Sequence, residues 1–163
     1  MIKKILIVFV VAFVVIQFFR PQKNIAAGEQ VNHISKLYNV PDNVKTILAK
    51  ACADCHSNNT NYPWYNNIQP VAWWLNKHVI DGKRHFNIDE FASYRIAKQY
   101  KKMKECVDEL KEGEMPLTSY TIIHRDAALT DAEKQTLINW CTGIRDSLKA
   151  KYPADSLVMP KKK

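Results

Sequence analysis

The sequence Cys52-Ala53-Asp54-Cys55-His56 determines how the rest of the chain is interpreted. In a Cys-x-x-Cys-His motif, the two thiols are spaced to form thioether bonds with the two vinyl groups of a porphyrin. The imidazole of His56 can then donate a ring nitrogen to the iron as the proximal ligand. The motif therefore predicts one covalently attached haem c, bound through Cys52, Cys55 and His56.

Two other kinds of site also use a Cys-x-x-Cys pair. A thioredoxin-like redox pair lies near a βαβ pattern, which we do not find in this sequence. A zinc site would need a second pair of Cys or His ligands at close spacing. Cys106 and Cys141 are far apart in the sequence, and neither has a His close by. We therefore favour haem c over zinc and over a reactive dithiol.

Composition favours one helical domain with extensions. The chain has 163 residues, four glycines, 25% charged residues and a formal net charge of +8. These values suit an all-α domain better than a β-rich or disordered chain. We expect a cytochrome-c-like helical domain wrapped around one haem. The lysines alternate with acidic residues along the predicted helices, which indicates a solvated face and no nucleic-acid partner.

The N-terminus carries an apolar run from Ile5 to Phe19, interrupted only by Gln17 and preceded by Lys3 and Lys4. Residues 1–20 are therefore interpreted as a signal anchor or a signal peptide. We favour an uncleaved single-pass membrane helix, because no convincing cleavage site follows. The positive-inside rule keeps the lysines in the cytoplasm. Residues 5–19 then contact the inner (cytoplasmic) membrane, and the haem domain lies in the periplasm.

The remaining chain divides into three parts: a polar tether over residues 21–41, a haem c-binding domain over 42–152 and a basic tail over 153–163. Apolar residues at helical spacing predict four helices within the domain. These helices begin at Asp42, at Gln69-Pro70 (ending at Asp81-Gly82), at Asp89 (ending near Glu112, with Gly113 after it) and at a capping box of Thr130 and Glu133.

A methionine in a loop is the main candidate for the sixth iron ligand. Met115 is followed directly by Pro116, which stiffens the loop and keeps Met115 out of helical geometry. The order of the chain, with the histidine early and the methionine late, is that of a class I cytochrome c. We predict Met115 as the ligand, with His78, His124, His85 or an open site as alternatives in that order.

Other residues are candidates for the wall of the haem pocket. Trp64 and Trp74 can either flank the porphyrin or pack in the core. His78 lies on an apolar helix face, where a buried imidazole bonded to a carbonyl or a propionate is the favoured interpretation. His85 belongs to a small basic cluster that either pairs with propionates or forms a plain surface turn. Cys106 and Cys141 form either a disulfide or two buried thiols.

Several motifs together resemble the bacterial haem-binding-domain proteins. The resemblance rests on the Cys-x-x-Cys-His motif and on Asn61-Tyr62-Pro63-Trp64-Tyr65, Pro70, Trp73-Trp74, His78-Val79, Gly82, His85, Asn87, Met115-Pro116 and Tyr120. It covers most of the chain after about residue 30. It implies a single-haem, cytochrome-c-like domain behind an N-terminal membrane segment, with His56 and Met115 at the ligand positions and Tyr120 near the pocket. It implies no established reaction.

Two functions follow from these expectations. The first is a membrane-tethered monohaem c-type cytochrome that transfers electrons in the periplasm, with a redox partner that is acidic at the contact. The alternative is a haem-based sensor or small-ligand binder with an open or displaceable sixth iron site. An enzyme such as a peroxidase is not expected, because the chain has one attachment motif. A module in which haem is only a structural staple is the weakest alternative.

Overall fold

The architecture comes from a computed structural model that describes residues 1–160. Its helices are α1 (Ile2–Ile16), α2 (Asp42–Ala51), α3 (Ala53–His56), α4 (Val71–His85), α5 (Ile96–Glu112), α6 (Thr118–Thr121) and α7 (Asp131–Lys151). Short 3-10 helices span Ile34–Lys36, Trp64–Asn67, Ile88–Ser93, Arg125–Ala127 and Ala154–Leu157. The described residues contain no β-strand, only an isolated bridge between Ile25 and Asn59. The predicted all-α class is confirmed.

The core forms where α7 packs against α5 and against α2. Buried apolar side chains recur on one face of each helix at intervals of three and four residues. They are Val44, Ile47 and Leu48 from α2, Met103, Val107 and Leu110 from α5, and Leu137, Cys141, Ile144 and Leu148 from α7. Burial of one such side chain stabilises the fold by about 1.5–3 kcal/mol. These contacts hold α2 in place, and α2 leads directly into the Cys-x-x-Cys-His motif.

The start of α7 carries the predicted capping box. Glu133 N donates to Thr130 Oγ1 at 3.3 Å, and Thr130 N donates to Glu133 Oε2 at 2.9 Å. Lys50 Nζ at the end of α2 also donates to Glu133 Oε1 at 2.6 Å. The Lys50 ammonium and the Thr130 backbone N–H together lower the pKa of Glu133 to about 2. One carboxylate thus caps α7 and ties it to α2.

Two predicted helix boundaries are wrong. The second helix does not stop at Asp81-Gly82, since α4 continues to His85. Gly82 is needed for close packing against α3 and does not end the helix. The third helix begins at Ile96 and not at Asp89. Asp89 is buried and accepts a 2.7 Å hydrogen bond from Asn58 N, so this apparent capping residue holds a loop.

Two further expectations concern the glycine at the end of α5 and the basic C-terminal tail. Gly113 directly follows α5 with φ of +77°, the left-handed conformation that favours glycine after a helix. The prediction for the end of this helix is therefore confirmed. Lys161, Lys162 and Lys163 of the expected basic tail lie outside the described residues.

The N-terminal apolar run forms α1, none of whose residues is buried. The helix ends at Ile16, although the apolar sequence continues to Phe19. Within residues 1–160, no helix has both the length and the apolar character required to cross a membrane.

Residues 21–41 lie along the domain, although the sequence analysis interprets them as a tether that lifts the domain off the bilayer. Ile34 and Val40 are buried in the core. Asn24 Nδ2 donates to Ser57 O at 2.9 Å, and Ala26 N donates to Asn58 O at 3.0 Å. The apolar residues of this segment are isolated, and most of its hydrogen bonds to the rest of the domain involve a polar side chain. No periodic pattern in the sequence indicates such packing.

The capping box leads to a pH-dependent prediction. The folded-state pKa of Glu133 lies below its ordinary value of 4.5, so its contribution to stability is present above pH 4.5 and is lost as the pH falls towards 2. We expect Glu133→Gln to lower the melting temperature at pH 6, and we expect this difference to shrink at pH 2.5. Circular dichroism melts at both values measure it.

The matched control is Glu112→Gln, because Glu112 is exposed and has no side-chain hydrogen bond or ion pair within residues 1–160. This variant should melt at nearly the same temperature as the wild type at both pH values. A Glu133→Gln deficit that is equally large at pH 2.5 would contradict the role of the carboxylate charge.

Candidate functional site

The Cys-x-x-Cys-His motif borders a cavity of about 310 Å³, enclosed by α2, α3, α4, α5, α7 and the loop before α6. This volume lies in the range of ligand-binding cavities, and apolar side chains form most of the wall. Seven of the nine site residues expected from the sequence line it: Cys52, Cys55, His56, His78, His85, Met115 and Tyr120. Residues more than 60 positions apart in the chain therefore meet at one site.

His56 is held in a defined orientation and protonation state. Its Nδ1–H donates to the Phe86 carbonyl at 2.9 Å, which leaves Nε2 as the ring nitrogen with a free lone pair. Burial lowers the pKa of His56 in spite of the carbonyls of Phe86 and Gly82, so the ring is neutral at pH 7. A hydrogen bond from one ring nitrogen to a backbone carbonyl is the usual arrangement for a metal-ligating histidine.

The two motif cysteines are thiols within the cavity wall. Burial and the nearby Cys106 raise the pKa of Cys52 to about 12. Burial and the adjacent Asp54 carboxylate raise the pKa of Cys55 to about 11. Both side chains are therefore protonated at neutral pH. Because the thiolate is the reactive form, neither cysteine is an activated nucleophile at neutral pH.

Gly82 sets the distance between α4 and the motif. A Cβ atom added at this position would lie 2.6 Å from the Cys55 carbonyl oxygen and 3.0 Å from the Cys55 Cβ. Side chains do not make contacts this short, so only glycine permits the approach. The approach places Phe86, the residue after α4, within hydrogen-bond reach of His56.

The loop that carries Met115 is connected to the motif through Tyr120. The Tyr120 hydroxyl donates to Asp54 Oδ2 at 2.7 Å, and Asp54 lies between the two motif cysteines. The Tyr120 ring stacks on His124 at 4.4 Å between centroids, and His124 Nε2 is 2.7 Å from the Tyr65 hydroxyl. His124 is thus committed to a network outside the cavity wall, whereas Met115 lines the wall.

The remaining expected pocket residues have different positions. His78 Nδ1 donates to the Trp74 carbonyl at 2.8 Å, as expected for an imidazole bonded to a carbonyl. Trp74 packs on His78 with ring centroids 4.3 Å apart and borders a smaller neighbouring cavity. Trp64 is 75% exposed and is not part of the main cavity wall. Of the basic cluster at 83–85, only His85 borders the cavity, since Lys83 bonds to Asn24 and Arg84 pairs with Asp81.

Lys102 is a site residue that the sequence analysis missed. Its side chain is only 13% exposed, and Nζ lies 2.6 Å from Glu105 Oε2 in the cavity wall. Several lysines of α5 alternate with acidic residues, so the sequence does not distinguish the inward-facing Lys102 from its solvent-exposed neighbours. The spacing of Lys102, Cys106 and Glu109 at i, i+4 and i+7 is the signal that could have found it.

Cys106 and Cys141 meet between α5 and α7 as two thiols and not as a disulfide. They share a hydrogen bond, which lowers the pKa of Cys106 and raises the pKa of Cys141. Both border the cavity. The sequence analysis left two alternatives, a disulfide between Cys106 and Cys141 or two buried thiols. The structure contains two thiols.

Comparison with known families gives an independent assignment. The sequence model of the haem-binding domain matches residues 11–143. The chain belongs to the haem-binding domain family. No curated protein and no solved structure matches the chain. The family assignment confirms that this domain binds haem.

The cavity of this haem-binding domain suits the cofactor in its donor atoms. A neutral imidazole with Nδ1 bonded to a carbonyl provides one strong iron ligand, and the Met115 thioether borders the same space. Two thiols lie beside the imidazole, and apolar side chains form most of the remaining wall. Within residues 1–160, no three His, Cys, Asp or Glu side chains cluster in a way that could hold a bare metal ion.

We predict that Gly82→Ala lowers both stability and haem content. The added methyl group must push α4 away from Cys55, and overpacking of this kind costs about 1–3 kcal/mol. The displacement also moves the Phe86 carbonyl away from His56. Thermal unfolding measures the stability, and the ratio of haem absorbance to protein measures the loading.

The control is Gly143→Ala, the same substitution within α7. A Cβ at Gly143 would have no atom within 4 Å, so alanine should stabilise the helix by up to about 1 kcal/mol. Equal melting temperatures for the two variants would show that the contact at Gly82 does not constrain the fold.

Proposed function

We propose that this haem-binding domain is a monohaem c-type cytochrome that carries electrons on the periplasmic side of the cytoplasmic membrane. The observation that supports it most is the placement of Cys52, Cys55, His56 and Met115 around one largely apolar cavity. When bound, the haem supplies a one-electron iron couple. The protein holds the cofactor, sets its potential and limits access to it.

The motif residues have separate roles in holding the cofactor. Cys52 and Cys55 would each add an S–H group across one vinyl group of the haem, with the sulfur bonded to one vinyl carbon as a thioether and the hydrogen to the other. His56 supplies Nε2 as the proximal ligand. Its Nδ1–H stays with the Phe86 carbonyl, which fixes the ring and increases its donor strength.

Met115 is the proposed sixth ligand. A thioether at this position raises the reduction potential relative to a second imidazole. If His56 and Met115 both bind the iron, no coordination site would remain for a substrate. This is the reason to propose an electron carrier and not an enzyme.

Charged residues near the cavity suit the cofactor's carboxylates and a partner protein. Lys102 and His85 border the cavity, where Lys102 can donate a charge-assisted hydrogen bond and His85 a ring N–H hydrogen bond to a propionate. Basic residues near the exposed edge of the haem would steer an acidic redox partner towards the domain. No feature of the chain calls for a nucleic-acid partner.

The proposed location rests on the apolar character of α1. A helix that is apolar on all sides is stable only when it is buried in protein or in lipid, and no residue of α1 is buried against the domain. We propose that residues 5–19 insert into the cytoplasmic membrane, with Lys3 and Lys4 on the cytoplasmic side. The domain is then exposed to the compartment in which c-type haem is attached.

A haem-based sensor or small-ligand binder is the second candidate. His78 borders the same cavity as Met115, and its only side-chain hydrogen bond within residues 1–160 is through Nδ1. His78 Nε2 is therefore a second potential donor near the sixth position. Competition between two donors would make that position displaceable by a small ligand.

The covalent link is tested by extraction. Denatured wild-type protein from cells that perform cytochrome c maturation should keep its colour on the polypeptide in acid acetone. The Cys52→Ala/Cys55→Ala variant should lose the pigment to the solvent. The control, Cys106→Ala, should keep it, because Cys106 is outside the motif. Pigment released from the wild type would contradict covalent attachment.

The sixth ligand is tested by optical spectroscopy. Oxidised wild-type protein should show the weak long-wavelength charge-transfer band of a methionine-ligated low-spin iron, and Met115→Ala should abolish it. The control is Met103→Leu, which keeps the volume of a fully buried core methionine and should cost less than about 1.5 kcal/mol. A band that survives in Met115→Ala would exclude Met115. A high-spin wild type that shifts with carbon monoxide would favour the sensor.

A further inference from the structure

We propose that the outer face of α4 rests on anionic phospholipid headgroups, with the domain held in one orientation by a clamp at the end of the apolar segment. This inference deepens the proposed membrane attachment and rests on it. It names the surface of the domain that faces the lipid. The opposite face of the same helix borders the haem cavity.

The clamp consists of four hydrogen bonds between residues 17–19 and residues 69–73. Gln17 Oε1 accepts from Gln69 N at 2.9 Å, and Gln17 Nε2 donates to Gln69 O at 3.3 Å. The Phe19 carbonyl accepts from Gln69 Nε2 at 2.9 Å and from Trp73 Nε1 at 2.7 Å. Gln69 is buried. The end of the apolar segment is therefore fastened to the start of α4 and cannot swing freely.

The outer face of α4 consists of Trp73, Lys77, Ile80 and Arg84. These residues follow one another at i, i+4, i+7 and i+11, so they lie within about 60° of each other around the helix at roughly 100° per residue. Trp73 is 40% exposed and Ile80 is 56% exposed, and both basic side chains are exposed as well. His78, Gly82 and His85, which border the cavity, lie on the other side of the helix.

The chemistry of this face matches a bilayer surface. Tryptophan is enriched at the level of the headgroups, and an apolar residue such as Ile80 gains by entering the boundary region. Lys77 and Arg84 can reach anionic headgroups while their stems lie along the apolar surface. Asp81 pairs with both, which leaves an excess of one positive charge on this side.

The connection to the apolar segment makes lipid the favoured occupant. The face begins at Trp73, whose indole is bonded to Phe19, the last residue of the apolar run. If that run lies in lipid, Trp73 must lie near the headgroups. A helix is about 10 Å across, so the cavity would lie about one helix diameter from the bilayer surface.

Lysine acetylation in lipid vesicles tests this orientation. Full-length haem-loaded protein is placed in vesicles that contain phosphatidylglycerol and is treated with a membrane-impermeant acetylating reagent. We expect Lys77 to react about fivefold more slowly than in Gln17→Ala/Trp73→Phe, because the negative surface potential keeps the ammonium group protonated near the lipid. Lys45, an exposed residue of α2, is the internal control and should react equally in both proteins.

A second variant keeps the test valid if the clamp substitutions disturb folding. Ile80→Gln changes an exposed residue outside the clamp and the cavity wall and removes the apolar side chain from the lipid boundary without adding a charge beside Lys77. It should raise the reaction rate of Lys77 to that of the clamp variant without changing haem content. Haem absorbance and circular dichroism check that each variant is folded.

The outcomes separate this inference from the proposed function. The proposed orientation is supported if Lys77 is acetylated slowly in the wild type and faster in the variants. If the wild type floats with the vesicles but its Lys77 reacts as fast as in the variants, the proposed orientation is wrong. Membrane attachment and haem binding are then unaffected. Slow labelling that persists in neutral detergent would assign the face to a protein contact and also overturn the proposed orientation. Failure to float with vesicles would refute the membrane attachment itself, and this inference with it.

Discussion

The contact between α4 and the backbone of Cys55 is the constraint on which the site depends. A Cβ atom at Gly82 would lie 2.6 Å from the Cys55 carbonyl oxygen, so only glycine fits at this position. The same contact brings the carbonyl that follows α4 to Nδ1 of His56, so helix packing determines which ring nitrogen of His56 carries the proton and how the ring is oriented. The close packing at Gly82 therefore determines the hydrogen bonding of His56.

The wall opposite the motif is assembled from parts of the chain that are distant in sequence. α5 and α7 supply Lys102, Cys106 and Cys141, while the loop after α5 supplies Met115. Tyr120 links that loop to the motif through Asp54. The two sides of the cavity are thus joined by a direct hydrogen bond as well as by the shared core. Loss of this bond would loosen the loop and the motif together.

Short-range chemistry made the motif and the helix class predictable from sequence. Cys52, Cys55 and His56 are adjacent, and the Thr130–Glu133 box and Gly113 act within one helical turn. Gly82 was misinterpreted as a helix end because its role depends on a neighbour 27 positions earlier. Lys102 was missed because its alternating charge pattern resembles a solvated face. The packing of residues 21–41 depends on hydrogen bonds between scattered polar side chains and distant residues, which leave no periodic pattern in the sequence.

The burial of the motif thiols has a consequence for how the protein is made. If Cys52 and Cys55 form thioether bonds to haem, the folded chain without haem would be a poor substrate for attachment, because burial raises the pKa of Cys52 to about 12 and that of Cys55 to about 11 and so keeps both sulfurs protonated. We therefore expect biogenesis to run in a fixed order, with the cofactor linked to an extended chain that then folds around it. A polypeptide that folded first would be a dead end, and slow folding of the unlinked chain would be an advantage.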